Sequence, residues 1–202
     1  MASSSLVSTR LLAFALAIGA LSLSARAHAD TMIIRNPGDH SRYAFEAEPH
    51  LLLGLINPPG PASGTGFGLG FRGTVKLVDN GFVPTINNSI GIGFGADWVH
   101  YGGGGQVCVT DSGPSGVRTC ANSDAVSELW FPVVMQWNFF LSRQWSVFGE
   151  PGLAFRYQSV PGFRDLTVDP QLYLGGRWHF SDQMALTMRL GYPTFSVGVS
   201  FM

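Results

Sequence analysis

The chain has 202 residues, 12 Lys+Arg against 13 Asp+Glu, and only 12% charged side chains beside 46% hydrophobic ones. That charged fraction lies well below the roughly 25% usual in soluble domains, and the near-neutral balance with a single lysine, Lys76, excludes a basic nucleic-acid-binding surface. Beyond residue 29 no apolar run approaches the roughly 18 residues of a membrane-spanning helix, so the apolar side chains must be arranged in another pattern.

Residues 1–29 read as a signal peptide. Arg10 precedes an apolar run from Leu11 to Leu23, and Ala27-His28-Ala29 forms a small-x-small cleavage site. Cleavage between Ala29 and Asp30 is expected. The run is too short to cross roughly 30 Å of hydrocarbon, and no cysteine near the site suggests a lipid anchor. Residues 30–202 then form one domain, with 10 basic and 13 acidic side chains once Arg10 and Arg26 are removed with the signal.

From Tyr43 the pattern has period two. Tyr43, Phe45, Ala47, Pro49, Leu51, Leu53 and Leu55 alternate with Ala44, Glu46, Glu48 and His50, which gives a strand one greasy and one ionic face. Phe67, Leu69, Phe71, Val75 and Leu77 next oppose glycines, Arg72, Thr74 and Lys76. Ile90, Ile92, Phe94, Ala96 and Trp98 oppose Gly91, Gly93, Gly95 and Asp97. Leu129 through Phe139, at odd positions, oppose Gln136 and Asn138. Trp145, Val147, Leu153, Phe155 and Tyr157 oppose Ser146, Glu150 and Arg156. Val168, Leu172, Leu174, Trp178 and Phe180 oppose Asp169, Gln171, Tyr173, Arg177 and His179. Met184 to Leu190 oppose Gln183, Thr187 and Arg189, and Phe195, Val197, Val199 and Phe201 close the series.

Eight such segments, each near the 9–11 residues of a tilted membrane strand, predict an all-β, eight-stranded, antiparallel up-and-down transmembrane barrel without open edges. With both termini in the periplasm, the connections there are 78–88, 141–144 and 181–182. The outer ones are 56–65, about 100–127, about 158–166 and 191–194. Tyr43, Trp98, Trp137, Trp145, Tyr157, Trp178 and Phe201 gather near segment ends, as interfacial aromatic girdles do. Pro49, Pro151 and Pro170 fall inside strands, where a missing ladder donor predicts bulges or register slips.

The signal peptide, the eight alternating segments and the ending Phe195-Ser-Val-Gly-Val-Ser-Phe201 together resemble the small bacterial outer-membrane barrels of the OmpA, OmpX and OmpW type. The resemblance implies outer-membrane lipid and lipopolysaccharide as surroundings and the barrel-assembly machinery as a partner. That machinery reads a terminal aromatic, whereas here Phe201 is followed by Met202. No peptidoglycan-binding domain is expected after the barrel.

Several motifs could carry chemistry. Cys108 and Cys120 are the only cysteines; in an exported protein they predict a disulfide, worth about 3 kcal/mol in the chain-entropy model. No spaced His, Asp or Glu cluster joins them as metal ligands, and neither metal nor cofactor is expected. The glycine runs Gly64–Gly70 and Gly91–Gly95 have strict period two and lack the helix a dinucleotide fingerprint needs; inward glycines make room for large neighbours instead. Glu46, Glu48, Asp97, Glu150 and Asp169 point inward with Arg72, Lys76, Arg156, Arg177 and Arg189. A barrel this narrow is filled by side chains, so these charges read as an ion-paired plug rather than a polar path. A lipid-A deacylase would need an outward serine, histidine and carboxylate. His100 is outward, but the residues beside it are Tyr101 and Gly102, and no outward serine is expected close by. The paired acids Glu46 and Glu48 leave no room for a sugar. The 101–127 loop is a candidate surface for an unknown ligand.

The expected function is therefore a non-enzymatic outer-membrane barrel, closed to solutes and acting through its outer loops. Passage of small or hydrophobic molecules is the alternative. A soluble exported ligand-binding barrel and a lipid-modifying enzyme rank lower. Alternation by itself does not say which face points inward.

Overall fold

A computed structural model describes residues 31–55, 59, 62, 64–103, 106–110, 118–122, 125–160 and 163–202. The expected signal peptide and its Ala29/Asp30 cleavage point lie outside the described residues. The strands are β1 (Phe45–Gly54), β2 (Gly66–Val78), β3 (Asn88–Tyr101), β4 (Gln106–Thr110), β5 (Arg118–Asn122), β6 (Val126–Phe140), β7 (Trp145–Val160), β8 (Phe163–Ser181), β9 (Met184–Tyr192) and β10 (Phe195–Phe201).

Eight of them close into an antiparallel barrel in the order β1-β10-β9-β8-β7-β6-β3-β2, while β4 and β5 form a separate hairpin. Each barrel strand pairs with its sequence neighbours and β10 returns to β1, so no ladder edge is left open. Closure resolves the ambiguity of faces. Glu46, Glu48, His50 and Arg72 are buried inside, whereas Leu51, Phe67, Leu69, Leu153, Leu174 and Leu190 are exposed outside. The barrel is inside-out relative to a soluble one, with an apolar outer wall and a polar interior.

Aromatic side chains mark the wall's ends. Trp145 sits opposite Trp178 at the end shared with the termini, and Trp98 lies toward the other. Tyr43, expected on the outer face, instead precedes β1, and its ring stacks beneath the Lys76 ammonium at 4.1 Å. Trp137 is covered edge-on by Phe82 from the 79–87 connection at 5.5 Å. The same connection buries Ile90, whose parity is outward.

The outer hairpins differ from expectation. Residues 158–166 are largely strand rather than loop, because β7 and β8 continue pairing to Val160 opposite Phe163. The long outer connection contains β4 and β5, with Cys108 opposite Cys120 and joined to it as a disulfide. A cross-strand cysteine pair pins that hairpin where the barrel's own ladder no longer reaches.

The prolines do not bulge the strands or shift their register. Pro49 stays opposite Phe71 on the β2 side, and pairing with β10 keeps one register from Ala47–Phe201 to His50–Gly198. Pro151 pairs Leu172 on β8, and its ladder to β6 is interrupted between Val134–Gly152 and Trp137–Gly149 without a slip. Pro170 faces Leu153 on β7, while β8's pairing with β9 begins only at Leu172. In an antiparallel strand each residue's N–H points to one neighbour only. The missing donor therefore costs one ladder locally, and the intact ladder on the other side holds the register. The shifts occur instead at Lys76/Val78 and His179/Ser181, near strand ends.

Candidate functional site

The barrel interior is the most densely charged part of the molecule. Its hub is Glu150 of β7. Arg72 Nη1 donates to Glu150 Oε2 at 3.1 Å, Arg189 Nε to the same oxygen at 3.0 Å, and Gln136 Nε2 to Oε1 at 2.8 Å. Arg189 also donates to Glu48. Arg72 reaches Asp97 Oδ2 at 3.3 Å, and His50 Nε2 lies 2.9 Å from Asp97 Oδ1. Arg177 closes on both oxygens of Glu46, at 2.7 and 2.9 Å, and on Asn138 Oδ1 at 2.6 Å. Ser200 Oγ lies 2.8 Å from Glu46 Oε1 and 3.0 Å from Glu48 Oε2, with its one hydroxyl proton shared between the two carboxylates. The Phe148 ring lies beside both the Arg177 and Arg189 guanidiniums, at 4.3 and 5.1 Å. Arg72, Arg177 and Arg189 are all at most 2% exposed, so these contacts are shielded from bulk solvent.

Each of the eight barrel strands supplies at least one member. Four carboxylates (Glu46, Glu48, Asp97 and Glu150) face three guanidiniums, and His50 sits between Glu48 and Asp97. Glycines provide the space. A Cβ on Gly70 would collide with His50 and Asp97, and one on Gly175 with the Phe148 ring.

A second charged layer lies toward the hairpin end. Arg156 Nε donates to Asp169 Oδ2 at 2.7 Å, and its Nη1 to Glu128 Oε1 at 3.2 Å, above the Trp130 ring. Nearby the lumen becomes apolar, with Leu52, Ala62, Val99, Tyr101 and Val126 in one buried cluster. Lys76, also inward by parity, pairs with Asp79 in the connection after β2 rather than with the central acids. Glu128, His50, Gln136, Asn138 and Ser200 were not singled out as network members from the sequence, although their even-numbered parity in β1, β6 and β10 marks them inward.

The end shared with the termini is covered by the segment before β1. Ile33 N–H donates to Leu141 O at 2.9 Å, and Asn87 N–H to Ile34 O at 2.7 Å. Gly38, at φ 78°, supplies the left-handed turn. His40 is the clasp. Its ring stacks on Phe140 at 4.1 Å, its Nδ1 donates to Asn87 Oδ1 at 2.6 Å, and Nε2 is buried without a partner. Burial, with Lys76 and Arg42 nearby, holds His40 below its ordinary value of 6.5 despite the opposing pull of Asn87 and Asp79. A histidine depressed by folding stabilises the clasp fully above its unfolded pKa and loses that contribution as pH falls through the folded value. Limited proteolysis of residues 32–44 is therefore expected to accelerate on acidification from pH 8 to 5. His40→Phe, which keeps the stack and cannot protonate, should flatten that dependence.

On the outside, the structure corrects one expectation. A serine does adjoin His100: Ser127, directly opposite it on β6, has its Oγ 2.9 Å from His100 Nδ1. The pair is cross-strand, so proximity in sequence could not reveal it. Among the described residues no carboxylate contacts this imidazole; its ring neighbour is Trp98, at 6.2 Å. Nor is any metal-holding group of His, Cys, Asp and Glu found among the described residues.

No protein-family model matches the chain, and no curated protein does. Among solved structures the chain is similar to Ail, the attachment invasion locus protein of Yersinia pestis. In complex with the heparin analogue sucrose octasulfate, that protein aligns at 7% identity and TM-score 0.45, over 78% of this chain and 94% of that one. Another Ail structure gives 12% identity and TM-score 0.41 over the same shares. A de novo designed transmembrane β-barrel aligns at 11% identity and TM-score 0.44, over 80% of this chain and 98% of that one.

Proposed function

We propose that this protein is an outer-membrane barrel, closed to solutes by its ion-paired lumen, that acts as a structural and surface-interaction element through its outer hairpins. The observation that carries this reading is the buried network of Glu46, Glu48, Arg72, Asp97, Glu150, Arg177 and Arg189 with Gln136 and Ser200, which draws on all eight barrel strands across the bore. An open aqueous path would hydrate those groups. Membrane placement is supported by the continuous apolar outer wall and its aromatic ends. Lipid and lipopolysaccharide are then its surroundings and the barrel-assembly machinery its route there, with a ligand for β4–β5 and the β7–β8 tip still to be identified. No catalytic role is assigned, since among the described residues no carboxylate contacts the outward Ser127–His100 pair.

Purified protein in planar bilayers is expected to show no stable conductance, whereas reproducible channels would favour transport. Unboiled protein on a detergent gel should migrate differently from boiled protein, and it should leave membranes only with detergent. Release by carbonate with no gel shift would favour a soluble barrel.

A further inference from the structure

We propose that the outer face of β10, β1, β2 and β3 holds one anionic membrane lipid, with an acyl chain in an apolar groove and its headgroup on His100, which Ser127 orients. The inference rests on the membrane reading above and adds a defined lipid site to it. The groove has a volume of about 830 Å³, within the roughly 300–1,000 Å³ typical of ligand pockets. Register places Leu51, Leu69 and Trp98 side by side as one row, and Leu53, Phe67 and His100 as the next toward the hairpin end. The lining is apolar apart from Thr65 and His100, and among the described residues His100, at the rim, is the one titratable side chain lining it.

The rim row then changes character. From His100 it continues through Ser127 and Ser159 to Arg164 across β6, β7 and β8. Donors and a cation thus follow directly on the apolar groove, and the described residues of this row include no carboxylate. With Ser127 Oγ–H donating to His100 Nδ1, the imidazole Nε2–H is left to donate to a headgroup oxygen. Trp98 flanks His100, with the two rings inclined by 20°. Grease below and anion-binding groups above, on one continuous surface, complement an amphiphile with a phosphate headgroup better than a neutral apolar solute, which would leave the polar row unused.

The test is native mass spectrometry of protein released from phosphatidylcholine vesicles containing a minority of phosphatidylglycerol. Wild type is expected to retain one phosphatidylglycerol. Leu51→Trp, which fills the groove, should abolish the adduct. His100→Leu with Ser127→Ala should lower retention by about tenfold, the factor implied by losing one hydrogen bond to a charged group. Wild type retaining no more lipid than Leu51→Trp would overturn the site, as would equal retention of phosphatidylcholine and phosphatidylglycerol. The boiled-versus-unboiled gel shift is recorded on every variant. A shift without an adduct sinks the lipid site and leaves the membrane reading standing, whereas loss of the shift in wild type sinks both.

Discussion

Glu150→Ala is expected to lower the unfolding free energy of the vesicle-embedded barrel by about 3–5 kcal/mol, the range measured when one partner of a buried ion pair is removed. Arg72 and Arg189 both donate to this carboxylate, and both are at most 2% exposed. Its loss leaves Arg189 with Glu48 alone and Arg72 with Asp97 alone, so each of these two buried guanidiniums is deprived of one of its two carboxylate partners. Gln136 loses its acceptor as well. Urea titration of protein folded into lipid vesicles measures the change. Asp39→Ala serves as the comparison: its pair with Arg143, at 3.6 Å, has side chains 41% and 77% exposed, and such pairs contribute about 0–1 kcal/mol. If the two substitutions cost the same, the lumen network is not the element that holds the walls together.

Leu153→Arg probes the opposite face. Leu153 is 53% exposed, lies midway along β7, and packs between Val133 and Pro170 on neighbouring strands. In a bilayer an arginine at midplane costs about 2–4 kcal/mol, falling to about 0–1 near the interfaces. Ser159→Arg, outward on the same strand but close to its end, should therefore be nearly silent. The contrast belongs to lipid alone. On a water-facing wall both arginines would be solvated and the two variants would match, which would reverse the inside-out assignment. Folding yield into vesicles and urea midpoints give the comparison directly.

Much of the architecture was legible because side-chain parity in a strand needs no tertiary information. Eight segments alternate cleanly, so Phe67, Leu69 and Phe71 had to share one face, and Arg72 and Lys76 the other. The disulfide followed from two cysteines in a chain whose first residues read as an export signal. The prolines misled because a strand read alone cannot show which neighbour its N–H addresses. Pro49 looked like a break, yet it loses only its ladder to β10 while β2 holds the register. The 158–166 connection was misread for a related reason: turn-like residues around Pro161 hid the continued pairing of Ser159 with Arg164.

By itself, then, the sequence determined the number of barrel strands, the two-faced character of each of them and the set of ionisable side chains that share a face. Which face is inside, and which ion meets which, were decided only by closure. Parity gives the side of the wall but not the height on it. Height depends on how each strand is staggered against the next around the whole barrel. That stagger brings Arg177 to Glu46 and Arg189 to Glu48 across 131 and 141 residues of chain. It also lays Ser127 beside His100 at the rim, a contact that period-two reading of either strand alone could not have placed.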